Sequence, residues 1–170
     1  MAGAVEQAPA PRRILFATVD GSWAGAQAQM LELASGLDRA EFEPVLLTTE
    51  HGRGELAARS RALGIRTHTL PYRCLRRVFP FVGYYAVAPL LLGRLLRAER
   101  IALVHTHDPH AALPILRAPG ARALPLVSHI HDLDQRWLTR RTLALLARPN
   151  AVVVAISDAC ARYARQQGAP

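Results

Sequence analysis

Lysine is missing altogether: all 21 basic residues among the 170 are arginine, and with 13 acidic ones they leave a formal charge of +8. The arginines are scattered along the chain and no stripe of interleaved aromatics accompanies them, which argues against a nucleic-acid partner. Cysteine is nearly absent. Cys74 and Cys160 are too few and too far apart for a disulfide framework or a zinc site, so a reducing compartment is the simpler reading. Residues 1–11 lack the apolar stretch of a signal peptide and read as a disordered tail. No uncharged run reaches the roughly 20 residues that a membrane-crossing helix needs. What is present is a chain with 51% hydrophobic and 20% charged residues, the composition of one ordinary globular domain over residues 12–170. The localisation this implies is cytoplasmic.

The apolar residues come in short runs separated by helical patterns. Ile14 to Val19, Glu43 to Thr49, Ile65 to Leu70, Ile101 to Thr106, Leu124 to Ile130 and Ala151 to Ile156 read as strands, the unalternating first run as one covered on both faces and Ile65 to Leu70 as a weakly alternating one that ends at Pro71. Between them, Ala26 to Leu37 repeats Met30, Leu33, Ala34 and Leu37 at helical spacing, and Glu55 to Leu63, Leu113 to Leu116 and Trp137 to Leu146 are also helical. Strands alternating with helices predict an α/β fold, a doubly wound parallel sheet of Rossmann type with its switch point between the first and fourth strands. Ligands of such sheets collect at the carboxyl ends of the strands beside that point.

One segment breaks the rhythm. Val78 to Gly93 carries no formal charge and is flanked by Arg73, Arg76 and Arg77 before it and by Arg94, Arg97 and Arg100 after it, with Pro80 and Pro89 interrupting the run. It is too short to span a bilayer. The residues leave open a buried helix or an interfacial element in which Arg76, Arg77 and Arg94 meet an anionic membrane surface and Phe79, Phe81, Tyr84 and Tyr85 lie at headgroup level.

Three places could carry chemistry. The first is the turn Asp20 to Gln27, where Gly21 and Gly25 allow close backbone approach and the following helix aims its N–H groups and positive dipole end at the loop, a setting for an anion. It matches neither the G-x-G-x-x-G fingerprint nor a Walker A loop, and a plain connecting turn is the alternative. The second and third are the histidine clusters His105, His107 and His110 with Asp108, and His129 and His131 with Asp132, each at the end of a strand. Alternate residues share a face, so His105 and His107 point one way, as do His129 and His131. Imidazoles there can bond sugar hydroxyls, contact phosphate or move protons near neutral pH, or serve only as hydrogen-bonded structural groups. A metal-dependent hydrolase using His105, His107 and His131 is a further alternative, but the order of the ligands and the alternating pattern do not suit the metallo-β-lactamase arrangement, so no metal is expected. Ser157, just after the sixth strand, suits a helix N-cap, and Glu50 a loop carboxylate.

As an ordered set, Ala24-Gly25-Ala26-Gln27 before a leucine-rich helix, Val104-His105-Thr106-His107 with His110, His131-Asp132-Leu133, and Val154-Ala155-Ile156-Ser157-Asp158 resemble the acceptor-side, N-terminal domain of the family 4 glycosyltransferases, one half of a GT-B architecture. The resemblance implies transfer of a sugar from a nucleotide-sugar donor to a glycan or lipid-linked acceptor, with retention of configuration and without metal or other cofactor. It places Gly25 and Ala26 at the donor diphosphate and His131 near the transferred sugar, as the catalytic residue. Gly21, Gln27, His107, His110 and Asp132 would complete the donor and acceptor contacts. The family's C-terminal donor-binding half, with its E-x7-E glutamate pair, is expected in cis or trans, and the chain by itself is expected to be inactive. A non-catalytic membrane-docking subunit of a split transferase is the competing expectation.

Overall fold

The computed structural model describes residues 10–70, 86–133 and 136–169. Six apolar runs form one parallel sheet: β1 (Arg12–Ala17), β2 (Phe42–Thr49), β3 (Arg66–Leu70), β4 (Ile101–Thr106), β5 (Leu126–Ile130) and β6 (Ala151–Ala155). The helices between and after them are α1 (Gly25–Ser35), α2 (Glu55–Ala62), α3 (Ala88–Ala98), α4 (Pro109–Leu116), α5 (Trp137–Leu145) and α6 (Asp158–Gln166). The strand order is β3-β2-β1-β4-β5-β6, so the chain reverses direction across the sheet between β1 and β4, as the pattern predicts.

Two cores result, one on each face. Leu15, Val45, Leu47, Val104, Leu126 and Ile130 face the helices that bring in Leu92, Ile115, Leu143 and Tyr163, while Phe16 and Leu46 face Met30, Leu31 and Ala34 of α1 and Leu56 of α2. The buried stripe of α1 is Gln27, Met30, Leu31 and Ala34, the i, i+3, i+4, i+7 set. Leu33, expected on that stripe, is instead 44% exposed, because a stripe running through Gln27 turns position 33 outward. Beyond α1 and α2 this face is barer, and Val152 and Val154 of β6 are exposed.

Element ends also move for identifiable reasons. The Val19 N–H donates to the Asp108 carboxylate at 3.2 Å, so β1 stops at Ala17. The Leu124 N–H donates to the Ala121 carbonyl in a short helical turn, which delays β5 to Leu126. Pro89, expected to interrupt its run, instead lies within the first turn of α3, where proline is tolerated. Pro80 and Cys74 lie outside the described residues, as does most of the tail. No helix among the described residues is long and apolar enough to cross a membrane.

At the edge where the strands begin, the charges close on one another. Arg13 donates from Nε to Glu43 at 2.7 Å and from Nη1 to Glu99 at 3.1 Å; Arg66 reaches Glu99 at 3.0 Å, and His68 Nε2 lies 2.9 Å from it. Glu99 is buried, so neutralising it strands two guanidinium groups with reduced compensation. Glu99→Gln is expected to lower unfolding stability by about 1–3 kcal/mol, measured by urea denaturation at neutral pH. An unchanged midpoint would show that the cluster is only surface decoration.

Candidate functional site at the switch point

The opposite edge is assembled by one carboxylate. Asp108 follows β4 and accepts from Ala111 N–H at 2.7 Å, capping α4, while its other oxygen accepts from Thr18 Oγ1 at 3.0 Å and from Val19 N–H. Burial pushes this carboxyl above the ordinary range, and the three donors oppose that shift. The His107 N–H donates to the Ala17 carbonyl at 2.9 Å, so the loops leaving β1 and β4 are joined twice. The loop after β2 closes on the same place: Leu56 N–H donates to the Gly21 carbonyl, and Gly52, at φ +68°, lies so close to Ser22 that a Cβ there would collide with its backbone. Arg59 of α2 stacks over Trp23 with its guanidinium carbon 4.2 Å from the ring centroid.

Above this base, α1 begins without a side-chain cap and with no acidic residue in its first turn. Gly25 is exposed, and a Cβ at that position would meet nothing within 4 Å. Room and uncompensated N–H groups therefore coincide there. The Ala26 backbone approaches His107. Gln27 is buried, and its Oε1 has no hydrogen-bond partner.

The histidines gather as alternation and register require. His105 pairs with Val127 across β4 and β5, so His107 falls level with His129, all on the face that carries Phe16 and α1. Ring centroids of His107 and His131 are 4.3 Å apart, of His105 and His129 4.7 Å, and of His107 and His129 5.2 Å. Burial is the main cause that lowers all four imidazoles from 6.5, with His105 pushed down to about 4 and His107 to about 3, and neighbouring imidazoles add to the shift at His105, His107 and His129. At His131 the carboxylates Asp108 and Asp132 pull the other way. The cluster therefore resists protonation, with His105 and His107 neutral at pH 7, and neutral rings can accept as well as donate.

The sequence-derived candidates divide by position. Ala26 meets His107 and His107 meets His131, with exposed Gly25 and buried Gln27 flanking Ala26 at the start of α1, exposed Asp132 next to His131, and buried Gly21 held through its carbonyl. His110 sits in the first turn of α4, where its Nε2 meets Arg136 Nη2 at 3.1 Å and Thr139 Oγ1 at 3.4 Å, which links it to α5. Ser157 caps α6 by accepting from Cys160 N–H, and Glu50 is an exposed loop residue. Arg76, Arg77, Phe79, Phe81, Tyr84 and Tyr85 lie outside the described residues. Arg94 is exposed on α3. Sequence reasoning missed the structural role of Asp108, although Asp108-Pro109 before a helical run is an N-cap and N1 signal. It also gave no role to His129 beyond sharing a face with His131.

Two comparisons bear on this arrangement. The model of a family described as Glycosyltransferase Family 4 matches residues 23–170. Solved structures of Alr3699/HepE from Anabaena share the fold. The complex with UDP and glucose gives a TM-score of 0.67 at 20% identity, covering 94% of this chain and 42% of that one. The complex with UDP-glucose gives 0.64 at 20%, covering 93% and 41%. The complex with UDP gives 0.66 at 21%, covering 93% and 41%. This chain thus spans less than half the length of those proteins. No curated protein matches the sequence.

The neutral cluster makes a test of its own. An unfolded chain protonates these imidazoles as pH falls through 6.5, whereas the folded one holds His105 neutral to about 4 and His107 to about 3. The unfolded state then binds more protons, so folding loses stability over that interval. The unfolding midpoint is expected to fall by roughly 5 °C or more between pH 7 and pH 5. His105→Leu should flatten the slope; calorimetry across that range checks both.

Proposed function

The chain belongs to glycosyltransferase family 4, and from that premise we propose that it is the acceptor-side domain of a retaining transferase that moves a sugar from a nucleotide-sugar donor to a glycan or lipid-linked acceptor. The observation that carries the reading is the convergence at the switch point. Ala26, at the uncapped start of α1, approaches His107, and His107 touches His131. Backbone N–H groups of Gly25 and Ala26 would then meet the donor diphosphate, where helix-terminal dipoles favour negative charge. The imidazole of His131, with Asp132 beside it, would lie at the transferred sugar. There it would bond a hydroxyl or the departing oxygen while the anomeric carbon exchanges its diphosphate bond for one to the acceptor oxygen. Gly21, Gln27, His107 and His110 would hold the surrounding contacts. The reaction so read needs no metal, because its charge is met by N–H donors from both walls of a cleft. The second wall is the donor-binding half, in cis or trans, without which this chain would be inactive.

The test is transfer from a panel of nucleotide sugars by the chain paired with its donor-binding half. Activity is expected only with both halves. His131→Ala should cut kcat/KM by about 100-fold or more. Turnover unimpaired by that change would remove His131 from the site.

A membrane-facing acceptor side is a second element of the reading, favoured by α3. Val87, just before the helix, and Leu90, Arg94 and Arg97 share one face at helical spacing, and Leu90 is 58% exposed. Apolar residues followed by arginines on one exposed face suit a peripheral contact with anionic lipid at a cytoplasmic surface. Co-sedimentation with anionic vesicles is expected to drop several-fold for Arg94→Glu combined with Leu90→Glu. Equal sedimentation of variant and parent would end this part of the proposal.

A further inference from the structure

We propose that His107, His129 and His131 form a binding site for a transition-metal dication of the zinc, nickel or copper class. Each offers one ligand nitrogen, and the three nitrogens lie within 4.8 Å of one another. Tetrahedral coordination at zinc–nitrogen lengths of about 2.0–2.1 Å puts ligand nitrogens roughly 3.3 Å apart. Side-chain rotations of about 1 Å at the ring would close the difference, with no movement of the strands. The register already supplies the frame, since His107, one residue past β4, follows the Thr106–Ser128 pair and so comes level with His129 of β5, with His131 just past the end of β5.

A second observation points to the same occupant. His129 Nδ1 and His131 Nε2 are buried and make no hydrogen bond, and the buried His107 ring has only the Ala26 backbone as a polar neighbour outside the cluster. Buried polar atoms are rarely left so, and several gathered at one point call for a partner that accepts lone pairs. Phosphate or a hydroxyl would satisfy one or two of them; a metal cation satisfies three at once. An all-imidazole set without a coordinating carboxylate selects zinc, nickel or copper over magnesium or calcium. His129 and His131 are only partly buried, which leaves an entry path and an open fourth position. His105 stays outside the trio, with its ring against that of His129.

The inference goes beyond the transferase reading and does not need it. Where both hold, a metal that takes His131 withdraws it from the sugar, so zinc inhibits transfer. Binding is measured on the chain itself, free of any polyhistidine tag, with Co2+ as the spectroscopic probe and Zn2+ as competitor. One Co2+ per chain is expected, with the visible bands of four-coordinate geometry, displaced by Zn2+ and not by Mg2+. His129→Ala should weaken binding at least tenfold, while His68→Gln at the far edge of the sheet leaves it unchanged. Ring nitrogens of three histidines in the unaltered chain should shift together on adding Zn2+, which serves if His129→Ala does not fold. No stoichiometric uptake, or uptake indifferent to His129, overturns the site. Loss of transfer in the paired enzyme would leave this result standing, and the converse also holds.

Discussion

The carboxylate of Asp108 is the interaction on which the working edge of this domain depends. Its oxygens accept from Ala111, Thr18 and Val19, so one side chain both caps α4 and ends β1. A capping carboxylate is stabilised by the helix dipole as well as by its hydrogen bonds, and this offsets part of the cost of burying it. Because strands β1 and β4 are neighbours that send their chains to opposite sides of the sheet, their loops would otherwise splay apart at the switch point. The tie holds the start of α1 and the end of β4 at one height, with His107 against the first turn of α1.

The imidazole cluster follows from that height and from the pleat. Four histidines fall on one face because each pair is spaced by two and because His105 is in register with Val127. Packing them against Phe16 and one another removes water and makes protonation costly, so the group resists protonation where an isolated histidine would be half-charged. Neutral rings suit hydrogen bonding to a sugar, and they equally suit lone-pair donation to a metal. The two proposed uses would compete for His131.

Much of this was legible beforehand. Strand runs, the alternation with helices and the position of the switch point follow from hydrophobic spacing, and β4 matches its expected limits at both ends. Spacing by two put His105 with His107 and His129 with His131. The errors lie where a tertiary bond outbid a local preference. Val19 leaves the strand for Asp108. Leu33 leaves the core because Gln27, a polar residue that pattern counting passes over, is buried in its stead. Pro89 interrupts the apolar run in sequence but sits within the first turn of α3, because where a helix begins is not a local property.

Sequence alone determined the α/β class, the family resemblance and the chemical types gathered at strand ends, since periodicity and residue identity are local properties. Tertiary structure alone decided that both histidine pairs face α1, that His129 joins His107 and His131, and that Asp108 binds the loops. Those facts depend on register between strands separated by 20 or more residues, and a one-residue slip would have turned every ring of one pair to the other side of the sheet.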